Sequence, residues 1–172
     1  MESDGSSCNL SILFVCMGNA CRSPMADFYF KHLVQKAGFS NLFKISSAAV
    51  SNNPLEKDFC IGTKKELDKW LIPYHNRAPI KLTKEDCINY DYIICMDTQI
   101  EELVIKFGGN KVKNKVYKLL DFSDTPMDIL DPAETNDFVR TYDEVSKGCD
   151  ALLEYLTSKK NIQLKKQLIS VA

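Results

Sequence analysis

The sequence predicts a single α/β domain of three layers, a four-stranded parallel sheet with helices on both faces. Short, almost continuous apolar runs alternate with segments of helical spacing, and such runs are typical of strands buried on both faces of a parallel sheet. The chain has 172 residues, long enough for one full hydrophobic core. We expect the domain to span residues 1–158 and residues 159–172 to form a lysine-containing C-terminal tail.

The first strand is expected over residues 12–15, which are all apolar. A helix should start near Ser23, because serine favours the N-cap position, and Pro24 suits the first helical position, where an amide has no intrahelical partner. Apolar residues at helical spacing continue this helix until Gly38 ends it. A right-handed crossover would then bring a second strand, residues 42–46, alongside the first.

The rest of the chain continues the alternation of strands and helices. The predicted elements are a helix over 56–71, a strand over 90–96, a helix over 98–107, a strand over 116–120, a long acidic loop over 121–137 and a closing helix over 136–157. Long irregular loops in compact domains are usually functional. The acidic loop is therefore a candidate part of the site.

Composition excludes several classes of function. With 22 basic and 23 acidic residues the formal charge is −1, so no overall field favours nucleic acid or an anionic membrane, and we expect neither partner. The seven cysteines are an odd number without metal-ligand spacing, which argues against a disulfide framework, a metal site or a metal cofactor. No basic leader and no apolar run of membrane-spanning length is visible, so we expect a reducing, cytoplasmic location and no membrane span.

The loop between the first strand and the first helix, residues 16–22, is the strongest candidate site. It begins with Cys16 and ends with Arg22, and a loop over a helix N-terminus points its backbone N–H groups at a bound anion. Gly18 and Asn19 are residue types that tolerate the positive φ of such a curl. We call residues 16–22 the phosphate loop; the predicted phosphate-binding residues are Met17, Gly18, Asn19, Ala20, Cys21, Arg22 and Ser23.

The same loop predicts a reactive thiol. A helix N-terminus and a nearby cation favour the thiolate form of cysteine, so the field that binds phosphate should also ionise Cys16. Arg22 offers a planar fork that can hold two phosphate oxygens, and the Ser23 hydroxyl can stabilise the sulfur as a leaving group. Cys21 lies in the same loop, and a sulfenic acid on Cys16 could condense with it to a reversible disulfide. Cys21 is therefore the predicted redox partner.

The stretch VC-x-GN-x-CRSP around Cys16 resembles the signature of the low-molecular-weight protein tyrosine phosphatases. The resemblance implies a strand order of 2-1-3-4, with Cys16 as the nucleophile and Arg22 as the phosphate-binding cation. It also implies that Asp131, followed by a proline, is the general acid, with Asp128 of the same loop as the alternative. Two further residues would support the site from outside: Ser47 would hold Asn19, and Asp97 would orient active-site groups.

The function implied by this resemblance is hydrolysis of phosphotyrosine in protein substrates, and of small aryl phosphates, through a phosphocysteine intermediate. No cofactor or metal is required, because the loop amides and Arg22 supply the positive charge and Asp131 supplies the proton. Oxyanions such as phosphate and vanadate should occupy the same loop as inhibitors. A non-catalytic phosphate-binding module is the alternative from a different class, and it would leave function unchanged in Cys16→Ser.

The sequence departs from the family where aromatic residues usually wall the cleft. No aromatic residue follows Ala49 over residues 50–57, and Ala133 and Glu134 follow the Asp-Pro pair. Trp70 or Tyr74 would have to compensate. The weaker aromatic walls keep a phosphoarginine phosphatase open as an alternative. An arsenate reductase of the same fold is a further alternative, for which the candidate relay cysteines are Cys87 and Cys95.

Overall fold

The computed structural model describes residues 10–51, 53 and 56–159, and these form a four-stranded parallel sheet with helices on both faces. The strands are β1 (Leu10–Cys16), β2 (Phe43–Ala49), β3 (Tyr92–Cys95) and β4 (Val116–Lys118). All neighbouring pairs are parallel and the order is β2-β1-β3-β4. The predicted fold class and strand order are thereby confirmed. Residues 160–172, nearly all of the predicted tail, lie outside the described residues.

Six α-helices occur in the described part of the chain. They are α1 (Arg22–Lys36), α2 (Ile61–Lys69), α3 (Lys84–Asn89), α4 (Thr98–Gly108), α5 (Pro132–Thr135) and α6 (Phe138–Lys159). Helix α1 packs on β1, β2 and α6, with α2 against α1 and α6, while α3 and α4 pack together and α4 also packs on β3 and β4. None of these helices combines the length and apolar character needed to cross a membrane.

The core consists of two apolar clusters, one on each face of the sheet. Every residue of β1 is buried, and its side chains alternate between the clusters. Ile12 and Phe14 belong to the cluster beneath α1 and α6, whereas Leu13 and Val15 belong to the cluster beneath α4. This burial on both faces explains why β1 reads as a continuous apolar run.

Helix α2 is shorter than predicted, since it begins at Ile61 rather than near residue 56. The residues before it are held by contacts with distant parts of the chain instead. The backbone N–H of Cys60 donates to the carbonyl oxygen of Ala20 at 2.8 Å, and Asp58 accepts from the N–H of Arg77 at 3.1 Å. The N–H of Cys60 is therefore not available to a helical turn that starts near residue 56. The periodicity of the sequence cannot show a contact with so distant a residue.

The fold brings the candidate site residues to one edge of the sheet, where the carboxyl ends of β1 and β3 lie side by side. Cys16 ends β1, and Asp97 follows β3 by two residues. Open α/β sheets bind ligands outside the carboxyl ends of adjacent strands. The segment that carries Asp131 reaches this edge because the N–H of Ile129 donates to the carbonyl oxygen of Met96 at 3.0 Å.

Candidate active site

Cys16 is the last residue of β1, and its sulfur is 3.0 Å from the hydroxyl oxygen of Ser23. Both residues are buried. A hydroxyl at this distance can donate to a thiolate, which stabilises the sulfur when it carries charge. The prediction that Ser23 caps α1 was wrong: Cys21 occupies the N-cap position, and the Ser23 hydroxyl faces Cys16 and Asn19 instead of the helix backbone.

Asn19 provides the turn in the phosphate loop. Its φ is +50°, in the left-handed region that asparagine tolerates, while Gly18 does not adopt a positive φ. The side-chain nitrogen of Asn19 donates to the hydroxyl oxygens of Ser23 at 2.8 Å and Ser47 at 3.0 Å. Its side-chain oxygen accepts from the backbone N–H of Ile80 at 3.0 Å. The loop is thus tied both to β2 and to the segment before α3.

Arg77 holds the same asparagine from outside the loop. One guanidinium nitrogen donates to the side-chain oxygen of Asn19 at 2.8 Å. The other donates to the hydroxyl of Ser47 and lies 3.4 Å from Asp27, which itself accepts from Ser47 at 2.9 Å. Arg77 was not among the predicted site residues. In the sequence it is only a basic residue in the turn before Thr83, and its partners Asn19 and Ser47 are far away in the chain.

Arg22 is buried at the start of α1 and joins three segments of the chain. Its Nη1 donates to Asp97 at 2.6 Å and to the carbonyl oxygen of Ile129 at 2.7 Å, and its Nη2 donates to Asp131 at 3.2 Å. Burial alone would lower the pKa of Arg22, but the negative charges of Cys16, Asp97 and Asp131 outweigh it and raise the pKa. Arg22 therefore stays cationic.

Asp97 and Asp131 each combine a helix cap with a contact to Arg22. One oxygen of Asp97 accepts from the N–H of Ile100 at 2.8 Å, which caps α4, and the other accepts from Arg22. Asp131 likewise caps α5 through the N–H of Ala133 at 3.0 Å. The Asp131 side chain is 29% exposed, so its carboxylate can exchange protons with solvent or with a bound group.

Asp128, the nearest other carboxylate of the acidic loop, is engaged elsewhere. It accepts from Lys118 at 3.0 Å and from the hydroxyl of Thr98 at 2.9 Å. Partial burial would raise the pKa of Asp128, but these hydrogen bonds outweigh it and lower the pKa. Asp128 is therefore held at Lys118 and Thr98, whereas Asp131 contacts Arg22 at the end of the phosphate loop.

Comparison with known proteins agrees with this geometry. The family model described as low molecular weight phosphotyrosine protein phosphatase matches residues 11–165, which is most of the chain. The chain belongs to this family. The match begins with β1 and covers the phosphate loop and Asp131.

Individual relatives are similar over nearly their whole length. The low molecular weight protein-tyrosine-phosphatase PtpA of Staphylococcus epidermidis is 32% identical over 155 residues, which cover 90% of this chain and 98% of the relative. The crystal structure of YfkJ from Bacillus subtilis superposes with a TM-score of 0.85 at 30% identity, covering 92% and 99% of the two chains. A structure of the YwlE arginine phosphatase with a phosphorylated active-site serine has a TM-score of 0.77 at 27% identity, covering 86% and 96%.

The aromatic residues proposed to replace the phosphatase cleft walls lie elsewhere. Trp70 stacks on Tyr142 of α6, with ring centroids 5.3 Å apart, and Tyr74 packs edge-on against Phe28 and Phe59. His75 also packs against Phe28, at 5.3 Å, and has no contact with the phosphate loop in the described structure. Both side chains are thus engaged with aromatic residues of other segments.

The cysteines of this phosphatase fall into different environments. Cys87 and Cys95, the candidates for an arsenate reductase relay, are buried in the core cluster beneath α4, and burial raises the pKa of both. Cys16 belongs to the opposite cluster. Cys21 lies beside Cys60, a cysteine for which the sequence pattern indicated no role in the site. No group of three or more potential metal-ligating side chains occurs among residues 10–51, 53 and 56–159.

Proposed function

We propose that this phosphatase hydrolyses phosphotyrosine in proteins, and small aryl phosphates, through a phosphocysteine intermediate at Cys16. The observation that supports this most directly is the grouping at the sheet edge: the Cys16 sulfur beside the Ser23 hydroxyl, and Arg22 held in place by Asp97 and Asp131. Such a group offers a nucleophile, a phosphate-binding fork and a proton donor within one loop and its neighbours.

In the first step the thiolate of Cys16 attacks phosphorus in line with the leaving oxygen. The amides of the phosphate loop and the Arg22 guanidinium stabilise the charge on the three equatorial oxygens. Asp131 protonates the leaving phenolate, and positioned proton transfer of this kind is typically worth about 10²–10⁴-fold in rate. Asp97 and the Ile129 carbonyl take up the two hydrogens of Nη1 of Arg22, so the substrate oxygens would be bound by Nη2, which also contacts Asp131, and by Nε.

In the second step Asp131, now ionised, removes a proton from water, which attacks phosphorus and releases Cys16. The Ser23 hydroxyl stabilises the departing thiolate. A covalent intermediate has support from a relative, because a cysteine-to-serine mutant of the related YwlE arginine phosphatase carries a phosphorylated serine in its active site. All the groups used in the two steps belong to the chain, and we propose a cytoplasmic location, where thiols stay reduced.

Hydrolysis of a generic aryl phosphate in the presence of EDTA tests the proposal. Cys16→Ser should be inactive, and Asp131→Ala should lose about 10²–10⁴-fold in kcat. Asp128→Ala is the matched control, because it removes a carboxylate of the same loop that is bound to Lys118 and Thr98; its kcat should stay close to that of the wild type. Vanadate should compete with substrate. Full activity in Cys16→Ser would disprove the mechanism.

Phosphoarginine is the second candidate substrate. It is favoured by the likeness to the YwlE arginine phosphatase and by the positions of Trp70 and Tyr74, which leave the predicted aromatic walls unfilled. Matched peptides that carry phosphotyrosine or phosphoarginine decide between the two. A higher kcat/KM on the phosphotyrosine peptide supports the main proposal, and the reverse order would replace it.

A further inference from the structure

Cys21 and Cys60 form a thiol pair next to the catalytic cysteine. Cys21 is the N-cap residue of α1, and Cys60 is the N-cap residue of α2. The backbone N–H of Cys60 donates to the carbonyl oxygen of Ala20 at 2.8 Å, which fixes the start of α2 against the phosphate loop. At this junction the two side chains are hydrogen-bonded to each other.

Thr63 reinforces the junction from the first turn of α2. Its side chain is fully buried, and its hydroxyl donates to the carbonyl oxygen of Cys21 at 2.9 Å. The same hydroxyl lies 3.1 Å from the sulfur of Cys60. Two cysteines on different helices are thus held by one shared threonine and one backbone hydrogen bond. Because Thr63 is buried, motion of surface side chains does not disturb this arrangement.

The electrostatics of the pair are asymmetric. The hydrogen bond from Cys21 lowers the pKa of Cys60 to about 7, against the effect of burial and with a further contribution from Thr63. The same hydrogen bond, together with burial, raises the pKa of Cys21. Cys60 is therefore the thiolate of the pair and Cys21 the thiol. Cys60 is also the more exposed of the two.

We propose that Cys60 takes over the disulfide formed when Cys16 is oxidised, so that oxidation ends in a Cys21–Cys60 disulfide and Cys16 returns to its thiolate. The inference rests on the proposed role of Cys16 as a reactive thiolate, and it adds Cys60 as a resolving residue. The observation that carries it is the placement of Cys21 and Cys60 at one junction, held before any oxidation by the hydrogen bond from Cys60 to Ala20 and by the contacts of Thr63 with both cysteines.

The sequence of steps is balanced with a hydroperoxide as the oxidant. The Cys16 thiolate attacks one oxygen of the hydroperoxide, the O–O bond breaks, the other oxygen leaves as hydroxide or alkoxide, and Cys16 becomes a sulfenic acid. The sulfur of Cys21 attacks the sulfur of Cys16, the S–O bond breaks, and hydroxide leaves as water with the Cys21 proton. The Cys60 thiolate then attacks Cys21, the bond between Cys16 and Cys21 breaks, and Cys16 leaves as a thiolate. One peroxide is reduced, and the two thiols of Cys21 and Cys60 are oxidised.

The direction of the last exchange follows from leaving-group stability. Thiol–disulfide exchange is faster when the departing sulfur is better stabilised as an anion. Cys16 departs into the phosphate loop, 3.0 Å from the Ser23 hydroxyl and close to the cationic Arg22. Cys60 contacts Cys21, so its attack at that sulfur needs only a local movement. The exchange protects Cys16 from irreversible over-oxidation while leaving it available to substrate.

Peptide mapping after oxidation with one equivalent of hydrogen peroxide, in the absence of reductant, tests the proposal. Trypsin cleaves after Arg22, Lys57 and Lys64, so a Cys21–Cys60 disulfide joins peptides 1–22 and 58–64. A Cys16–Cys21 disulfide would instead close within peptide 1–22. Thiols that remain free after oxidation are blocked with N-ethylmaleimide before digestion. Fragment ions then identify which cysteine of peptide 1–22 is linked.

We expect the joined peptides in the wild type, with Cys16 recovered as a free thiol that N-ethylmaleimide labels. Phosphatase activity, assayed after oxidation and before the thiols are blocked, should be nearly unchanged. Cys60→Ser should trap the Cys16–Cys21 disulfide and lose about tenfold in activity until a dithiol restores it. Cys87→Ser, which removes a buried thiol of the other core cluster, is the matched control and should behave like the wild type.

Two results would overturn the proposal. The first is a stable Cys16–Cys21 disulfide in the oxidised wild type. The second is an equal yield of the Cys21–Cys60 disulfide in Cys16→Ser, since the pair would then be oxidised without the catalytic cysteine. Both readouts are covalent linkages, so they are informative even if the chain does not hydrolyse the phosphate esters tested.

Discussion

Arg77 gives the phosphate loop a support that comes from a distant segment of the chain. Its guanidinium donates to Asn19 and Ser47, and Asn19 in turn holds Ser23, the neighbour of the Cys16 sulfur. We predict that Arg77→Ala lowers kcat on an aryl phosphate by up to about 100-fold. Without this hydrogen bond the phosphate loop can shift, and a misplacement of about 1 Å is enough for a loss of that size. Steady-state kinetics measures the effect.

The control for this prediction is Arg140→Ala, which removes an exposed arginine of α6 that pairs only with Glu144 among the described contacts. Its kinetics should match the wild type. Arg77→Lys should recover little activity, because a lysine cannot bridge Asn19 and Ser47 with a planar fork. If Arg77→Ala lost folding stability but kept its kcat and its affinity for vanadate, Arg77 would be a structural residue only.

The charge state of Cys60 gives a second prediction for a single residue. Its pKa is lowered to about 7, so its thiolate is already present near neutral pH and disappears as the pH falls below that value. We expect the alkylation rate of Cys60 by iodoacetamide to rise with a midpoint near pH 7. Cys21→Ala removes the hydrogen-bond donor and should move the midpoint upward, toward the ordinary value for a thiol. An unchanged midpoint in Cys21→Ala would show that Cys21 does not stabilise the thiolate.

Among the elements, strands were easier to predict than helix boundaries. Each of the four predicted runs overlaps one strand, and the signal is clearest in β1, where every residue is buried. In β2, by contrast, Lys44 is exposed. The start of α2 and the role of Arg77 could not be predicted, since both depend on partners far away in the chain, such as Ala20 and Asn19. The periodicity of a sequence predicts which face of an element is apolar, and it does not predict contacts with distant residues.

Helix α6 offers a prediction about packing between elements. Gly148 faces Leu119, which is fully buried directly after β4, and an added Cβ would lie 2.5 Å from the Cγ of Leu119. In an exposed helix, glycine to alanine is stabilising by up to about 1 kcal/mol. Here we expect Gly148→Ala to lower the free energy of unfolding by about 1–3 kcal/mol, because the core must shift to admit the methyl group.

Urea unfolding measures this change, and Lys147→Ala on the adjacent exposed position is its control. That substitution removes only a surface ion pair with Asp143, worth less than about 1 kcal/mol. A stabilised Gly148→Ala protein would show that α6 is free to move away from Leu119.

At the scale of the whole molecule, the predicted sheet and the site at its edge follow from one arrangement. Parallel strands place their carboxyl ends together, so Cys16 at the end of β1 and Asp97 just after β3 could be expected at the same edge of the sheet. Asp131 was expected beside them from the resemblance, and the structure places it 3.2 Å from Arg22. The contact of Asp97 with Arg22 and that of Ser47 with Asn19 are also present, while the catalytic and supporting roles of these residues stay predictions.

Because the site joins separate segments, a bound oxyanion should stabilise the entire domain. Arg22 connects α1 with the segments that carry Asp97 and Asp131. A ligand that binds only the folded chain at 100 times its Kd adds about 2.7 kcal/mol. For a domain of this size each kcal/mol raises Tm by roughly 2–4 °C. We therefore predict that inorganic phosphate at that excess raises Tm by several degrees.

Arg22→Lys shows whether this stabilisation comes from the proposed site. Lysine keeps the positive charge but loses the fork that would hold two phosphate oxygens, so the increase in Tm should shrink or vanish. Arg140→Lys, the same substitution on the exposed face of α6, should keep the full increase. Calorimetry with and without phosphate measures both. An equal increase in Arg22→Lys and the wild type would mean that phosphate stabilises the protein through another surface, and the assignment of residues 16–22 as its binding loop would then be wrong.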